Sequence, residues 1–355
     1  MKAKLSKYLV CPQCKSSLRC DVYQADDSLP WSEIMEGSLI CEHCPQKYPI
    51  RQGIPRLMTG QLLTEVQNTV DGFGYEWTTF SDQIQETYMT SKANFLDFIF
   101  PTTEDFFKDK IVLDAGCGMG RFLKLGAEFG SKEIIGIDLS HSVEVAYRNT
   151  RTLPNAHVVQ ADILALPFLE NFDYIFSIGV LQFISDPKQG FCKLSNLLTE
   201  GGRISAWVYS KENNGWVTKM VTPVRKYVTS QLSKPILYLL CRCLGLVLYG
   251  GLQLIYKPAN EGKFGLRFGH LLPYNDYFYY TSRLTYSSLV SVIFDHLVPQ
   301  LVVYFAKEEF ETWFRESELD NIIITARNNM SWRGQGDRVE ARTLNKISDS
   351  FGNYD

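Results

Sequence analysis

The stretch Ile111-Val112-Leu113-Asp114-Ala115-Gly116-Cys117-Gly118-Met119-Gly120-Arg121 decides the fold. Its first half, IVLDA, is an apolar run ending in a carboxylate and reads as a buried parallel strand. RFLKLGAEFG, starting at Arg121, reads as a helix. Between them Gly116, Gly118 and Gly120 let the backbone turn tightly and approach a ligand with no Cβ in the way. The helix presents its N-terminus at the same spot, which is the layout of a nucleotide site in an α/β sheet.

The spacing narrows the ligand. A dinucleotide loop asks for G-x-G-x-x-G. Here the pattern is D-x-G-x-G-x-G, and Arg121 stands where the third glycine would be. Asp114 would repel a pyrophosphate and attract an ammonium group. That favours S-adenosylmethionine, which carries an ammonium at its methionine end and a positive sulfur. The stretch resembles the first motif of the class I, type 11-like S-adenosylmethionine-dependent methyltransferases. The resemblance implies an α/β fold with a doubly wound, Rossmann-like methyltransferase sheet.

Working outward, Glu133 to Ser140 is a second buried strand, with Asp138 at its carboxyl end placed to accept from both ribose hydroxyls. Ala156 to Ile163 is a third. Asp162 and the backbone N–H of Ile163 resemble the family's adenine-binding motif. Phe172 to Gly179 is a fourth strand. Leu139 and Ile178, at strand ends, complete the expected cofactor set. Family members that methylate exocyclic amines of bases often carry Asn-Pro-Pro-Tyr after the fourth strand. Ser177-Ile178-Gly179-Val180 stands here instead, which argues against that reaction on nucleic acid. Gln182 falls where small-molecule methyltransferases often carry histidine and is expected near the acceptor. A fifth strand covers Ile204 to Tyr209, and the core resumes with a helix at Lys307 to Glu318 and a strand at Asn321 to Arg327.

The first sixty residues carry two C-x-x-C knuckles, Cys11/Cys14 and Cys41/Cys44. Four thiolates can close a tetrahedron around one structural Zn²⁺ and leave no open position for catalysis. Strands are expected at Leu18 to Ser28 and Glu36 to Ile40. The module resembles the zinc ribbons that accompany many methyltransferases, including the small activator subunit of tRNA and protein methyltransferases. His43 is read as an exposed bystander.

The expected organisation is a zinc ribbon over 1–60, the first part of the methyltransferase core over 61–210, a mostly helical substrate lid over 211–300 and the rest of the core over 301–355. Thr59 to Val70 bridges the first two, and Ser81 to Phe100 reads as a helix. Asp71-Gly72-Phe73-Gly74-Tyr75-Glu76-Trp77 is an aromatic cluster on glycines, expected outside a regular element. Tyr75 and Trp77 are candidates to cover the methionine end of the cofactor, where rings gain cation–π attraction to a sulfonium. In the lid, Asp295 opens an Asp-x-x-x-Pro stretch found in related enzymes over the acceptor. His296, with His270 second, is the candidate general base. Pro235 to Tyr256 is long and apolar enough to raise the question of a membrane, but Arg242, Gln253 and three glycines favour a buried lid helix. Peripheral membrane contact through 235–256 is the lesser reading.

Net charge over the 355 residues is −3, with no run of Lys or Arg. That argues against a nucleic-acid partner and for a small or lipophilic metabolite methylated on oxygen or carbon. The alternatives are an RNA methyltransferase and a non-catalytic cofactor-binding subunit. The nine cysteines with no secretory pattern suit a reducing, cytoplasmic setting. Oligomeric state is not legible.

Overall fold

The computed structural model describes residues 1–60, 63–79, 91–169, 172–262 and 269–339. Eleven strands are present among them: β1 Leu18–Asp26, β2 Glu33–Cys41, β3 Lys47–Arg51, β4 Ile54–Leu57, β5 Ile111–Ala115, β6 Glu133–Asp138, β7 Ala156–Ala161, β8 Phe172–Ile178, β9 Leu198–Tyr209, β10 Leu319–Arg327 and β11 Ser331–Arg338. They form one sheet in the order β1-β2-β3-β4-β7-β6-β5-β8-β9-β11-β10. The pairs from β4 to β9 are parallel, and the strands at both ends are antiparallel. The order reverses at β5, so the crevice beside its carboxyl end is the switch point where ligands bind in such sheets.

Helices α1 Thr64–Thr79, α2 Ser91–Phe98, α3 Arg121–Glu128, α4 Ser142–Thr150 and α5 Pro187–Ser195 belong to the core and its approach. α6 Thr222–Tyr227, α7 Lys234–Gly251, α8 Lys257–Glu261, α9 Asn275–Thr281 and α10 Tyr286–Leu297 lie in the segment expected above to form the lid, called the lid below, and α11 Lys307–Glu316 follows it. Alternate residues of each central strand serve opposite faces. Leu113, Ile135 and Val159 face one buried cluster. Val112, Ile134 and Val158 face another, filled from α2 and α3 by Phe95 and Leu123. A third, smaller cluster joins α7 to α10 through Leu237, Cys241, Val290 and Phe294, with Tyr75 of α1 against it.

The ribbon is not a separate bead. β4 pairs in parallel with β7, Arg56 opposite Gln160 and Leu57 opposite Ala161. Arg56 donates to Gln160 Oε1 at 2.7 Å and to Glu144 Oε1 at 3.0 Å. Lys2 donates to the carbonyl of Ala156 at 2.7 Å, and Tyr147 donates to Glu33 Oε2 at 2.7 Å.

One expectation is corrected, and one strand was not expected. The aromatic cluster 71–77 lies inside α1. Gly72 serves close packing there: a Cβ would stand 2.7 Å from Val298 Cγ1 of the lid. β11 was not foreseen, because SWRGQGDR has no apolar alternation. It pairs on both edges, and Gly334 and Gly336 leave room for Phe310 and Phe314 of α11. The helix expected from Ser81 is seen as α2 from Ser91, and 81–90 lie outside the described residues.

Candidate cofactor and acceptor site

The loop after β5 has positive φ at all three glycines: 90° at Gly116, 51° at Gly118 and 80° at Gly120. A Cβ at Gly116 would stand 2.2 Å from Val180 Cγ2, so no other residue fits that conformation there. The amides of Gly116 and Cys117 both donate to the carbonyl of Ile137 at 2.8 Å, tying the loop to β6. Beside it opens a cavity of about 430 Å³. One wall comes from Gly116, Gly118, Asp138, Leu139, Asp162, Ile163 and Ile178. The opposite wall brings Trp77 from α1, Phe98 from α2, Arg121 and Phe122 from α3, Phe183, Trp207 and Tyr209, and Asp295 from the lid.

The first wall fits S-adenosylmethionine. Asp138 Oδ2 accepts from the amide of Gly118 at 2.9 Å, and Oδ1 accepts from the amide and hydroxyl of Ser140 at 2.8 and 2.7 Å. The carboxylate is thereby fixed with lone pairs still open to a diol. Asp162 Oδ1 caps the short turn after β7 by accepting from Leu164 N at 2.8 Å, which leaves Oδ2 for an exocyclic amine. Asp114 behaves differently. It is buried and off the cavity wall, Oδ2 has no partner among the described residues, and burial, then the charge of Asp138, holds its carboxyl well above the usual range. The expected direct contact with the ammonium is not what the structure shows for it.

The second wall departs further. Trp77 covers Gly118, with its ring nitrogen 3.3 Å from where a Cβ would be. Tyr75 turns away into the lid, its ring 5.9 Å from Phe294. Gln182 is fully buried behind the wall, with neither amide atom partnered among the described residues. Asp295 faces the cavity. Burial pushes its carboxyl up to about 6 against the opposing pull of Arg225 and a hydrogen bond from Tyr209. His296 stands behind Tyr209, ring centroids 6.1 Å apart, and shares a 3.0 Å hydrogen bond between Nε2 and the Tyr277 hydroxyl. Burial and Arg225 push it down to about 4, so it is neutral at pH 7. His270 lines a different cavity with Asn213, Asn260 and Asn275. The two histidines are therefore not brought to the cofactor.

Sequence reasoning missed Trp207 and Tyr209 as site residues. They lie two apart at the carboxyl end of β9, and that placement was the available signal. Arg121 was noted as a departure from the dinucleotide pattern and given no role. It lines the cavity, desolvation lowers it to about 10, and no carboxylate pairs with it among the described residues.

In the ribbon, the four Sγ atoms of Cys11, Cys14, Cys41 and Cys44 lie within 4.8 Å of one another. Separations of 3.4, 3.6 and 3.7 Å match the roughly 3.8 Å edge of a tetrahedron with Zn–S bonds near 2.3 Å. The amides of His43 and Cys44 point at Cys41 Sγ, both at 3.4 Å. The His43 side chain is exposed and outside the group.

Comparison with known proteins agrees with this division. Residues 113–206 match the family described as a methyltransferase domain, and residues 2–53 match Trm112p-like proteins. A tRNA U34 carboxymethyltransferase of Vibrio campbellii is 35% identical over 101 residues, 27% of this chain and 31% of that protein. One from Glaesserella parasuis is 32% identical over 101 residues, 27% and 32% of the two chains. The chain thus spans about a third of the length of these curated relatives. Among solved structures, a complex of the Haloferax volcanii Trm112 methyltransferase activator aligns with 78% of this chain and 98% of that one, at 15% identity and TM-score 0.42. The magnesium protoporphyrin IX methyltransferase of Synechocystis aligns with 79% and 90%, at 14% identity and TM-score 0.36.

The curated names overturn two expectations, a small or lipophilic acceptor and the reading against a nucleic-acid partner, and speak for the RNA methyltransferase given above as an alternative. Net charge is a sum over the chain, whereas single-stranded RNA is read by stacking and a few local phosphate contacts that leave no mark on that sum. The strand-four argument spoke only of exocyclic amines and left other base atoms open.

Proposed function

We propose that this chain, a Trm112p-like ribbon joined to a methyltransferase domain, uses S-adenosylmethionine or a close relative of it to alkylate a base of tRNA. The observation that carries the reading is the 101-residue match to enzymes named for the tRNA base U34. Asp138 would hold the ribose hydroxyls, Asp162 the adenine amine, and the glycine loop the methionine end. The cofactor supplies an electrophilic carbon on a positive sulfur. The protein's part is to aim the acceptor in line and keep the site dry. Phe98, Trp207 and Tyr209 offer stacking faces for a base turned out of its strand. Arg121 gives a cation for a phosphate or carboxylate on either reactant. Asp295 replaces His296 as the group placed to take a proton from the attacking atom, since it faces the cavity and titrates near neutrality. A tRNA acceptor also suits the expected cytoplasmic setting.

The test incubates the zinc-loaded chain with S-adenosylmethionine labelled in its methyl group and with unmodified tRNA transcripts, followed by nucleoside mass spectrometry. The expected result is a label on a base, lost in Asp138→Ala. A chain that binds S-adenosylhomocysteine yet labels no tRNA, with or without a carboxylated cofactor, would overturn the reading.

A further inference from the structure

Helix α7 shows an arrangement that the reaction does not use. It packs on α10 through Leu237, Cys241 and Gly245, one residue every four. The approach is close: a Cβ at Gly245 would stand 2.9 Å from Val290 Cγ2. At about 100° per residue, Ile236, Leu239, Leu246 and Val247 fall opposite that stripe, and Leu254 follows in the π-helical turn Leu252–Tyr256. Their exposures are 57, 61, 65, 79 and 79%. The face turned to solvent is therefore as apolar as the face turned inward, over a helix that continues to Glu261. A soluble lid helix would carry polar residues there, and an apolar face of this length marks a surface that meets something.

Charge says what. Between Glu212 and Glu261 the chain carries six cations and no carboxylate; Arg225 is buried against His296, which leaves Lys219, Lys226, Lys234, Arg242 and Lys257 at least partly exposed. Arg242 is exposed and lies at the border of the apolar face, where its long stem can lie along that face while the guanidinium reaches outward. An apolar stripe bordered by cations suits an anionic lipid surface. A single-stranded nucleic acid has no need of five exposed aliphatic side chains. The helix is also anchored on its other side. Tyr286 donates to the carbonyl of Arg242 at 2.8 Å, Gln253 donates to that of Ser282 at 2.6 Å, and Asn260 and Asn275 exchange hydrogen bonds at 2.8 and 3.0 Å. A membrane-spanning pose would break these bonds and strip α10, whereas lying flat keeps them.

We infer that α7 seats the protein in the plane of an anionic phospholipid bilayer, with Leu246 and Val247 among the immersed side chains and Arg242 on the phosphates. The inference stands apart from the tRNA reading, because neither the cofactor wall nor the acceptor enters it.

The experiment is flotation of the full zinc-loaded chain with vesicles of phosphatidylcholine alone or mixed with phosphatidylglycerol. Binding is expected to the mixed vesicles only, weakened about tenfold or more by high salt. The Leu246→Glu/Val247→Glu double variant is expected to stay in solution, with its melting temperature and S-adenosylhomocysteine affinity unchanged. Equal flotation of that variant, or no flotation of the natural chain, would overturn the inference. So would a concentration-dependent dimer abolished by the variant in a chain that ignores vesicles, a loss of tRNA binding with vesicle binding intact, or retention in membranes through alkaline carbonate.

Discussion

The two walls of the cavity are built on opposite terms. The cofactor wall stands on the ends of β5, β6 and β7, where parallel ladders fix the backbone and the wall carboxylates are held by nearby amides: Asp138 by Gly118 and Ser140, Asp162 by Leu164. The acceptor wall stands on helices and a long crossover. Behind it lie groups that the protein leaves partly unpaired: both amide atoms of Gln182, Nε of Arg225 and the hydroxyl of Tyr304, among the described residues. Buried polar atoms without partners are rare and costly. The carboxylates that line the cofactor wall are thus fixed before any ligand arrives, with Asp114 Oδ2 behind them unpartnered among the described residues, while the acceptor wall is backed by several such atoms.

The ribbon tests how far the cofactor wall depends on its edge. Because β4 pairs with β7, whose end leads to Asp162, removing zinc should reach the adenine end of the site and not only the ribbon. Structural zinc contributes about 10–16 kcal/mol in small zinc domains, so Cys41→Ser or chelation is expected to give the largest change: early unfolding of the ribbon and weaker S-adenosylhomocysteine binding. Calorimetry on metal-stripped chain checks it. Unaltered cofactor affinity without zinc would show that the edge strand is decoration and the core wall self-sufficient.

Asp295 tests the other wall. Its carboxyl titrates near 6 in the fold against an ordinary 3.8. Below about pH 4 it is protonated both folded and unfolded and has no effect. Between about 4 and 6 the unfolded chain ionises first, so stability falls as pH rises, and above about 6 the loss is complete. Asp295→Asn should therefore stabilise the chain at pH 7 by up to about 3 kcal/mol and leave it unchanged below pH 4. The same variant should lose turnover if Asp295 takes the proton. Melting curves across pH 3.5–8 decide the first point. A constant difference at every pH would mean that the carboxyl is not held up by burial.

The cofactor wall is more legible in the sequence than the acceptor wall. Gly116, Gly118, Gly120, Asp138 and Asp162 are readable because each is fixed by a local rule, a positive φ or a strand end, within a few residues of its own position. The zinc ligands are readable for the same reason. Asp114 marks a limit even there, since the motif places the residue but not the direction of its carboxylate. On the acceptor wall Trp77 and Asp295 were expected, from the aromatic cluster and the Asp-x-x-x-Pro stretch, whereas Trp207 and Tyr209 of β9 were not, and no local pattern announces that α1, β9 and α10 meet. β11 was hidden because its pairing on both edges replaces the apolar alternation that a one-faced strand would show, although the Asn328-Asn329 pair at positive φ signals the hairpin turn.

Asp138→Ala asks what one fixed carboxylate is worth. Removing a carboxylate that holds the Gly118 amide, and that is proposed to accept from the ribose diol, should weaken S-adenosylhomocysteine by about 1.5–3 kcal/mol, the range for hydrogen bonds to charged groups. Asp138→Asn should recover part of this, since the amide oxygen still accepts. A loss below about 0.5 kcal/mol would mean that the loop and adenine contacts hold the cofactor without the ribose.

The smallest effect expected is that of His270→Ala, and its contrast with His296→Ala sharpens the acceptor wall most. His270 borders a separate cavity among Asn213, Asn260 and Asn275, so its loss should leave cofactor affinity and turnover within experimental scatter. His296 stands one layer behind the wall, bonded to Tyr277 and stacked against Tyr209, which itself lines the cavity. It is neutral at pH 7, with no charge to lend to the reacting atoms, so its influence runs through the position of Tyr209. His296→Ala should therefore raise KM for the acceptor more than it lowers kcat, and should leave the pH profile in place. If the profile moves instead, and the limb near pH 6 vanishes with the imidazole, then His296 and not Asp295 is the titrating group, and the wall must rearrange to bring it forward.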